Sequence, residues 1–165
     1  MKIFGVTGWK NSGKTGLMER LITEFTARGL SVSSIKHAHH SFDIDHPGRD
    51  SYRHRDAGAR QVLLASRNRW ALMHELRDED EPSLGDLLKQ LSPVDLVLIE
   101  GYKRDRHLKI EAHRKETGQP LIAPEDQTIV AVASDTSVAI DRPVLDLNDT
   151  AAIANFIAQH LELNV

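Results

Sequence analysis

The 165-residue sequence contains no cysteine. That excludes a disulfide scaffold, a thiolate zinc site, an iron–sulfur cluster and a cysteine nucleophile. Its longest unbroken apolar run, Ile129 to Ala133, is far below the ~18 residues of a membrane span. Gly5, Thr7 and Gly8 interrupt the N-terminal apolar stretch, so no secretory leader is expected, and a cytoplasmic location without a membrane partner is. A basic excess is missing too: 21 Lys and Arg stand against 24 Asp and Glu, a formal charge of −3, which argues against nucleic acid as a partner. There is no linker rich in Gly, Ser or Pro, no low-complexity tract and no repeat. Residues 1–165 are therefore expected to form a single domain.

What is present alternates in period. Lys2 to Thr7 reads as a strand running into a glycine-rich turn. Leu17, Met18, Leu21, Ile22 and Phe25 share one helical face from Lys14 to Arg28, and Gly29 fits a helix stop. Leu30 to Ile35 reads as a second strand, followed by a polar loop over 36–48 and a short helix capped by Asp50 or Ser51 and ending at Gly58. Gln61 to Ser66 and Arg69 to Glu75 read as an antiparallel pair. Asp78 to Glu81 is an acidic, solvated loop, and Ser83 caps a helix reaching Leu91 before Pro93. Leu96 to Ile99 is wholly apolar, as in a central parallel strand. Leu108 to Ala112, Thr128 to Ala133 and Val144 to Leu147 are further strands, and Asn148 or Asp149 starts a last helix. The expected class is α/β: a mainly parallel sheet flanked by helices, with an added antiparallel strand pair.

Gly8-Trp9-Lys10-Asn11-Ser12-Gly13-Lys14-Thr15 matches G-x-x-x-x-G-K-[ST], between a strand and a helix, so the class is of P-loop NTPase type. Chance alone produces such a match in about half a per cent of chains this long at average composition. Glycines let backbone N–H groups turn inward around phosphate oxygens, and the helix start adds unpaired N–H groups with partial positive charge. Gly8, Asn11, Ser12, Gly13, Lys14, Thr15 and Gly16 are thus the candidate phosphate-binding residues. Lys14 would reach the β- and γ-phosphates, and Thr15 would ligate Mg²⁺.

Such a site needs an acid at the end of a buried neighbouring strand. Glu100, after Leu96 to Ile99, supplies it, with Gly101 leaving room for the γ-phosphate; Asp95 would lie at the strand's far end. Lys14 and Glu100 are accordingly the candidate catalytic pair. The second strand also ends facing the phosphates, which adds Lys36 and His37. Five of the nine His (37, 39, 40, 46 and 54) crowd the following stretch. They fit a switch loop better than a metal site, because no cysteine joins them and no zinc template matches their spacing. Asp50 is the better candidate for a further acid on the Mg²⁺ side, followed by Asp43 and Asp45, so the metal set is Thr15, Asp50 and Glu100. For the base, Asn-Lys-x-Asp is absent; Ser134-Asp135, ending a strand, serves equally as a guanine acceptor or as a turn.

The chain resembles the molybdopterin-guanine dinucleotide biosynthesis protein B family over nearly its whole length. The resemblance rests on the Gly8–Thr15 loop and on Ile35-Lys36-His37-Ala38-His39-His40, Asp43-Ile44-Asp45, Pro47-Gly48-Arg49-Asp50-Ser51 and Ala57-Gly58-Ala59. It extends through Arg69-Trp70-Ala71-Leu72-Met73, Leu98-Ile99-Glu100-Gly101-Tyr102-Lys103 and Ile129 to Asp135. It implies a GTP-binding protein with slow GTPase activity, usually a homodimer. Such a protein is accessory to the guanylyltransferase that attaches GMP to molybdopterin, and meets other cofactor-biosynthesis proteins. GTP and Mg²⁺ are then the expected ligands, with Asp135 on the base. Trp9, bulky where such loops are usually small, would cover the nucleotide or a dimer contact.

Two alternatives remain. One is a small-metabolite kinase, with Lys103, Arg104, Arg106, His107 and Lys109 as an anion-binding cluster. The other is a nucleotide-dependent adapter or metal-insertion protein that needs no turnover. Val62, Leu63, Leu64, Trp70, Leu72 and Met73 give the hairpin either a core face or a dimer face.

Overall fold

The computed structural model describes residues 1–38 and 42–165. His39, His40 and Ser41, part of the His-rich stretch, lie outside the described residues. The chain divides into two compact units, residues 1–37 with 88–165, and residues 38–87.

The first unit is built on six strands: β1 (Lys2–Thr7), β2 (Val32–Lys36), β5 (Leu96–Glu100), β6 (Lys109–His113), β7 (Ile129–Ser134) and β8 (Val144–Asp146). They lie in the order β2-β5-β1-β6-β7-β8, and every neighbouring pair is parallel. β1 and β5 occupy the middle because their side chains tolerate burial on both faces: Phe4, Val6 and Leu96 to Ile99 are all fully buried. Helices α1 (Lys14–Ala27) and α4 (Thr150–Leu161) cover one face. Their Leu17, Leu21, Phe25, Ile153 and Ile157 close a single core with Phe4, Leu98, Ile110 and Ala133. Asp149 caps α4 by accepting from Ala152 N–H at 2.9 Å. Arg20 ties α1 across to this region, donating to the Leu147 carbonyl at 2.7 Å and to Thr150 Oγ1 at 2.8 Å. At the opposite end of the sheet, Asp95 accepts from the N–H and hydroxyl of Ser31, which joins the starts of β2 and β5.

Behind β1 and β6 lies a buried polar pair that composition does not reveal. Lys109 is fully buried; its ammonium donates to the Asp105 carbonyl and Thr128 Oγ1 and stands 3.5 Å from Asp126 Oδ2. Gly5 makes room for it, since a Cβ there would meet His107 Nε2 at 2.5 Å and Lys109 Cγ at 2.7 Å. Both ring nitrogens of His107 are buried without a hydrogen-bond partner among the described residues.

The second unit holds α2 (Asp50–Asp56), β3 (Gln61–Ala65), β4 (Trp70–His74) and most of α3 (Leu84–Leu88). β3 and β4 form the expected antiparallel hairpin, with Leu63 opposite Leu72 and Ala65 opposite Trp70. Two expectations need correction. The N-cap of α2 is Arg49, without a side-chain cap bond, so Asp50 and Ser51 lie inside the first turn, where an acid favours the helix dipole. α3 ends at Leu88 rather than Leu91, and the chain then runs down through a turn closed by Leu91 N–H on the Leu88 carbonyl. Ser92 precedes Pro93 and is biased away from helix, which shortens the run. Arg55 knits the unit together: its guanidinium bonds Asp45, reaches Glu75 at 2.8 Å and Asp43 at 3.4 Å, and lies over the Tyr52 ring. Hydrogen bonding to Arg55 holds the Asp45 carboxyl below the usual range.

His107 gives a pH prediction. Burial, and then the neighbouring Lys109 cation, push its imidazole down to about 4, against the opposing pull of Asp105 and Asp126. In the unfolded chain it titrates near 6.5. The neutral ring therefore favours the fold fully above about pH 6.5, and that contribution fades as pH falls toward 4. Chemical denaturation across pH 4–7.5 is expected to show this loss in the native chain and a flatter profile in His107→Gln.

Candidate functional site

The Gly8–Thr15 turn leaves β1 with three backbone positions that require positive φ: Gly8 (142°), Asn11 (64°) and Gly13 (93°). At Gly8 the approach is also too close for any side chain, since a Cβ would stand 2.4 Å from the Ala112 carbonyl oxygen and 2.5 Å from Ser12 Oγ. The loop is braced from within. Lys14 Nζ donates to the Trp9 carbonyl at 2.6 Å, and Ser12 N–H donates to the same oxygen at 3.2 Å. Trp9 holds the loop from outside, its indole N–H donating to the Pro120 carbonyl at 2.7 Å while Lys103 Nζ lies 4.3 Å from its ring centre. The indole therefore packs within its own unit, the role that sequence left open.

α1 begins at Gly13 with no side-chain cap and no acid in its first turn. Its leading N–H groups are thus available to an anion, beside a hollow of about 350 Å³ lined by Asn11 to Gly16 and Arg114. Ser12 Oγ is buried there without a partner among the described residues.

Parallel register brings the other groups in. Lys36 and Glu100 are paired residues of β2 and β5, and Val6 pairs with Glu100 across β1. Glu100 Oε1 accepts from Thr15 Oγ1 at 3.4 Å and stands 3.3 Å from Lys36 Nζ. Thr15, Lys14, Lys36 and Glu100 are therefore together, as expected. Burial lowers the Lys14 ammonium from its ordinary range; Glu100 opposes this, while Lys103 and Lys36 add to it. His37 N–H donates to the Glu100 carbonyl at 2.9 Å, and its ring lies 4.7 Å from that of Tyr102. Gly101 turns there at φ 96°, and a Cβ would press on His37 Cβ at 3.0 Å, so its smallness also serves this packing.

The remaining expected residues have their own surroundings. Ser134 is buried, its hydroxyl 3.0 Å from His113 Nδ1 and accepting from Thr136 N–H. Asp135 Oδ1 accepts from Lys115 N–H at 2.9 Å, and Ser134 and Asp135 line a hollow of about 410 Å³ with Val144 to Asp146 and Asn148. Asp50 belongs to the second unit, in a hollow with Arg53, His54, Asp56 and Ala57. Asp43 and Asp45 bind Arg55 instead of standing free as metal-side acids. No group of three or more His, Asp or Glu suited to a metal occurs among the described residues. Mg²⁺ needs only one or two protein oxygens besides phosphate and water, and Thr15 Oγ1 with Glu100 Oε1 fits such a partial shell.

Of the five-residue basic cluster, Lys109 is engaged in the core and the His107 ring nitrogens are buried, so the cluster is not a free anion-binding patch. Sequence reasoning missed Arg114 altogether, because only the register of β6 beside β1 places the residue after β6 over the loop.

A model of the family described as molybdopterin guanine dinucleotide synthesis protein B matches residues 3–135. Two relatives are each named molybdopterin-guanine dinucleotide biosynthesis adapter protein. That of Escherichia coli (strain K12) is 40% identical over 163 residues, covering 97% of this chain and 93% of the relative. That of Haemophilus influenzae is 44% identical over 162 residues, covering 96% and 89%. Among solved structures, a MobB protein homolog from Bacillus stearothermophilus superposes with TM-score 0.72 at 25% identity, covering 99% of this chain and all of that one. A molybdopterin-guanine biosynthesis protein B superposes at 0.74, also at 25% identity, over 96% of this chain and 99% of that one.

Gly8→Ala tests how tightly the turn is built. Its Cβ would strike backbone, at a φ that alanine rarely adopts, so a loss of at least about 2 kcal/mol is expected in urea denaturation.

Proposed function

The chain belongs to the molybdopterin guanine dinucleotide synthesis protein B family, and from that premise we propose that it is a GTP-binding adapter in molybdopterin guanine dinucleotide biosynthesis, with slow GTPase activity. The observation that carries the nucleotide reading is the meeting of Thr15 and Glu100, 3.4 Å apart, at the uncapped start of α1. The N–H groups of Gly13 to Gly16 would hold phosphate oxygens, and Lys14 would leave the Trp9 carbonyl for the β- and γ-phosphates. Thr15 and Glu100 would hold Mg²⁺, which would supply positive charge to offset that of the phosphates. Lys36 stands ready for terminal phosphate charge. Glu100 Oε1 is shared by Lys36 and Thr15, so it acts as a holding group more than as a free base for water, which is consistent with slow hydrolysis. Asp135 is the group for the guanine edge, through the carboxylate oxygen that does not hold Lys115 N–H.

The partners in this reading are the guanylyltransferase and other proteins of the cofactor pathway, in the cytoplasm. No helix among the described residues is long and apolar enough to cross a membrane. The protein's own second copy is the other partner. One face of the hairpin carries Leu63, Ala65, Trp70 and Leu72, with Leu63 60% and Trp70 66% exposed, while Val62 and Met73 on the opposite face are buried. An open apolar face of this kind is suited to self-association.

Calorimetric titration is expected to show GTP binding more tightly than ATP in the presence of Mg²⁺. Equal or stronger ATP affinity would overturn the guanine reading. Lys14→Ala should weaken GTP by about ten- to a hundredfold, the worth of one charge-assisted hydrogen bond. For assembly, light scattering is expected to give a dimer mass for the native chain and a monomer mass for Leu63→Glu/Trp70→Glu. A native monomer would rule the dimer out.

A further inference from the structure

We propose that Arg114 is a second cation of the phosphate site, seated on the diphosphate side of the cradle and separate from Lys14; the proposal rests on the Gly8–Thr15 loop being a phosphate site. Arg114 is the first residue after β6, and its side chain lies against the turn where α1 begins. A Cβ at Gly13 would stand 2.9 Å from Arg114 Nε and 3.5 Å from Nη2. The guanidinium lines the same hollow as Asn11 to Gly16. Its Nε is buried with no hydrogen-bond partner, and the residue forms no ion pair among the described residues. A guanidinium N–H withdrawn from water without an acceptor is unfavourable, and guanidinium cannot escape by losing its proton. An anion in the hollow would supply the missing acceptor.

The position of Lys14 separates the two cations. Its ammonium turns to the Trp9 carbonyl and interacts with Glu100, Lys103 and Lys36 on the β5 side of β1. Arg114 follows β6, on the other side of β1. In loops of this type the backbone N–H groups cradle the α- and β-phosphates while the lysine reaches the β- and γ-phosphates. A guanidinium resting on Gly13 therefore meets the diphosphate moiety, whose oxygens suit its planar fork. The ligand class is a diphosphate group, recognised whatever base it carries and whether or not a γ-phosphate is present. The diphosphate product of hydrolysis would then keep this contact after the terminal phosphate has left.

The test is titration of the full chain with inorganic pyrophosphate, GDP, GTP and ATP, comparing the native protein with Arg114→Gln and Arg114→Lys. Pyrophosphate is expected to bind the native protein. Arg114→Gln should weaken pyrophosphate, GDP and GTP alike by about ten- to a hundredfold, with partial recovery in Arg114→Lys. The melting temperature of unliganded Arg114→Gln should be unchanged or higher, because an unpartnered buried donor has gone. The proposal is overturned if pyrophosphate does not bind the native protein, if Arg114→Gln leaves pyrophosphate and GDP affinity intact, or if it weakens GTP alone. A lowered melting temperature without ligand would assign Arg114 to the fold and overturn the proposal too. The guanine reading fails separately, if ATP binds as well as GTP while the Arg114 effect persists.

Discussion

The parallel register of β2, β5 and β1 is the constraint on which the site depends. Because Lys36, Glu100 and Val6 stand level across three strands, the polar end of the sheet arrives at one height, just where the chain turns out of β1. Parallel strands all point their carboxyl ends the same way, so one edge of the sheet collects every strand-ending side chain. A register slip of one residue in β5 would move Glu100 away from Thr15. The Asp95–Ser31 contacts at the far end resist that slip. Thus a polar pair remote from the Gly8–Thr15 loop helps set its geometry.

The features legible in the sequence are those whose physics is local. The Gly8–Thr15 turn, the amphipathic face of α1, the apolar β5 and the hairpin each announce themselves within a few residues, and the structure has them at nearly the expected bounds. Glu100 could be chosen over Asp95 because a parallel strand has a definite far end. What was not legible depends on partners distant in sequence. Nothing near Lys109 says that its ammonium ends in the core against Thr128 and Asp126. Asp43 and Asp45 look like free acids until Arg55, ten or more residues on, is found bonded to both. Arg114 carries no motif.

The formal charge of −3 is an average over unlike regions. Lys36 and Lys103 act on Lys14 together with the carboxylate of Glu100, and Arg114 approaches the loop at Gly13. Cations held in place by a rigid sheet create a local field suited to a polyanion, although the chain as a whole repels one weakly. The acidic excess lies partly in loops such as Asp78 to Glu81, where Glu79 pairs with Arg60 and His74.

The two tryptophans stand in different surroundings. Trp9 is fastened by its indole N–H to the Pro120 carbonyl, with an ammonium over its ring. Trp70 lies open on the outer face of the hairpin. With only these two indoles in the chain, intrinsic fluorescence separates into two reporters. A nearby cation and a fixed hydrogen bond tune the emission of Trp9, so it responds to rearrangement of the Gly8–Thr15 loop. Trp70, in contact with water, responds to whatever covers the hairpin. Replacing either one with phenylalanine leaves a single-colour probe of the other unit, without an attached dye.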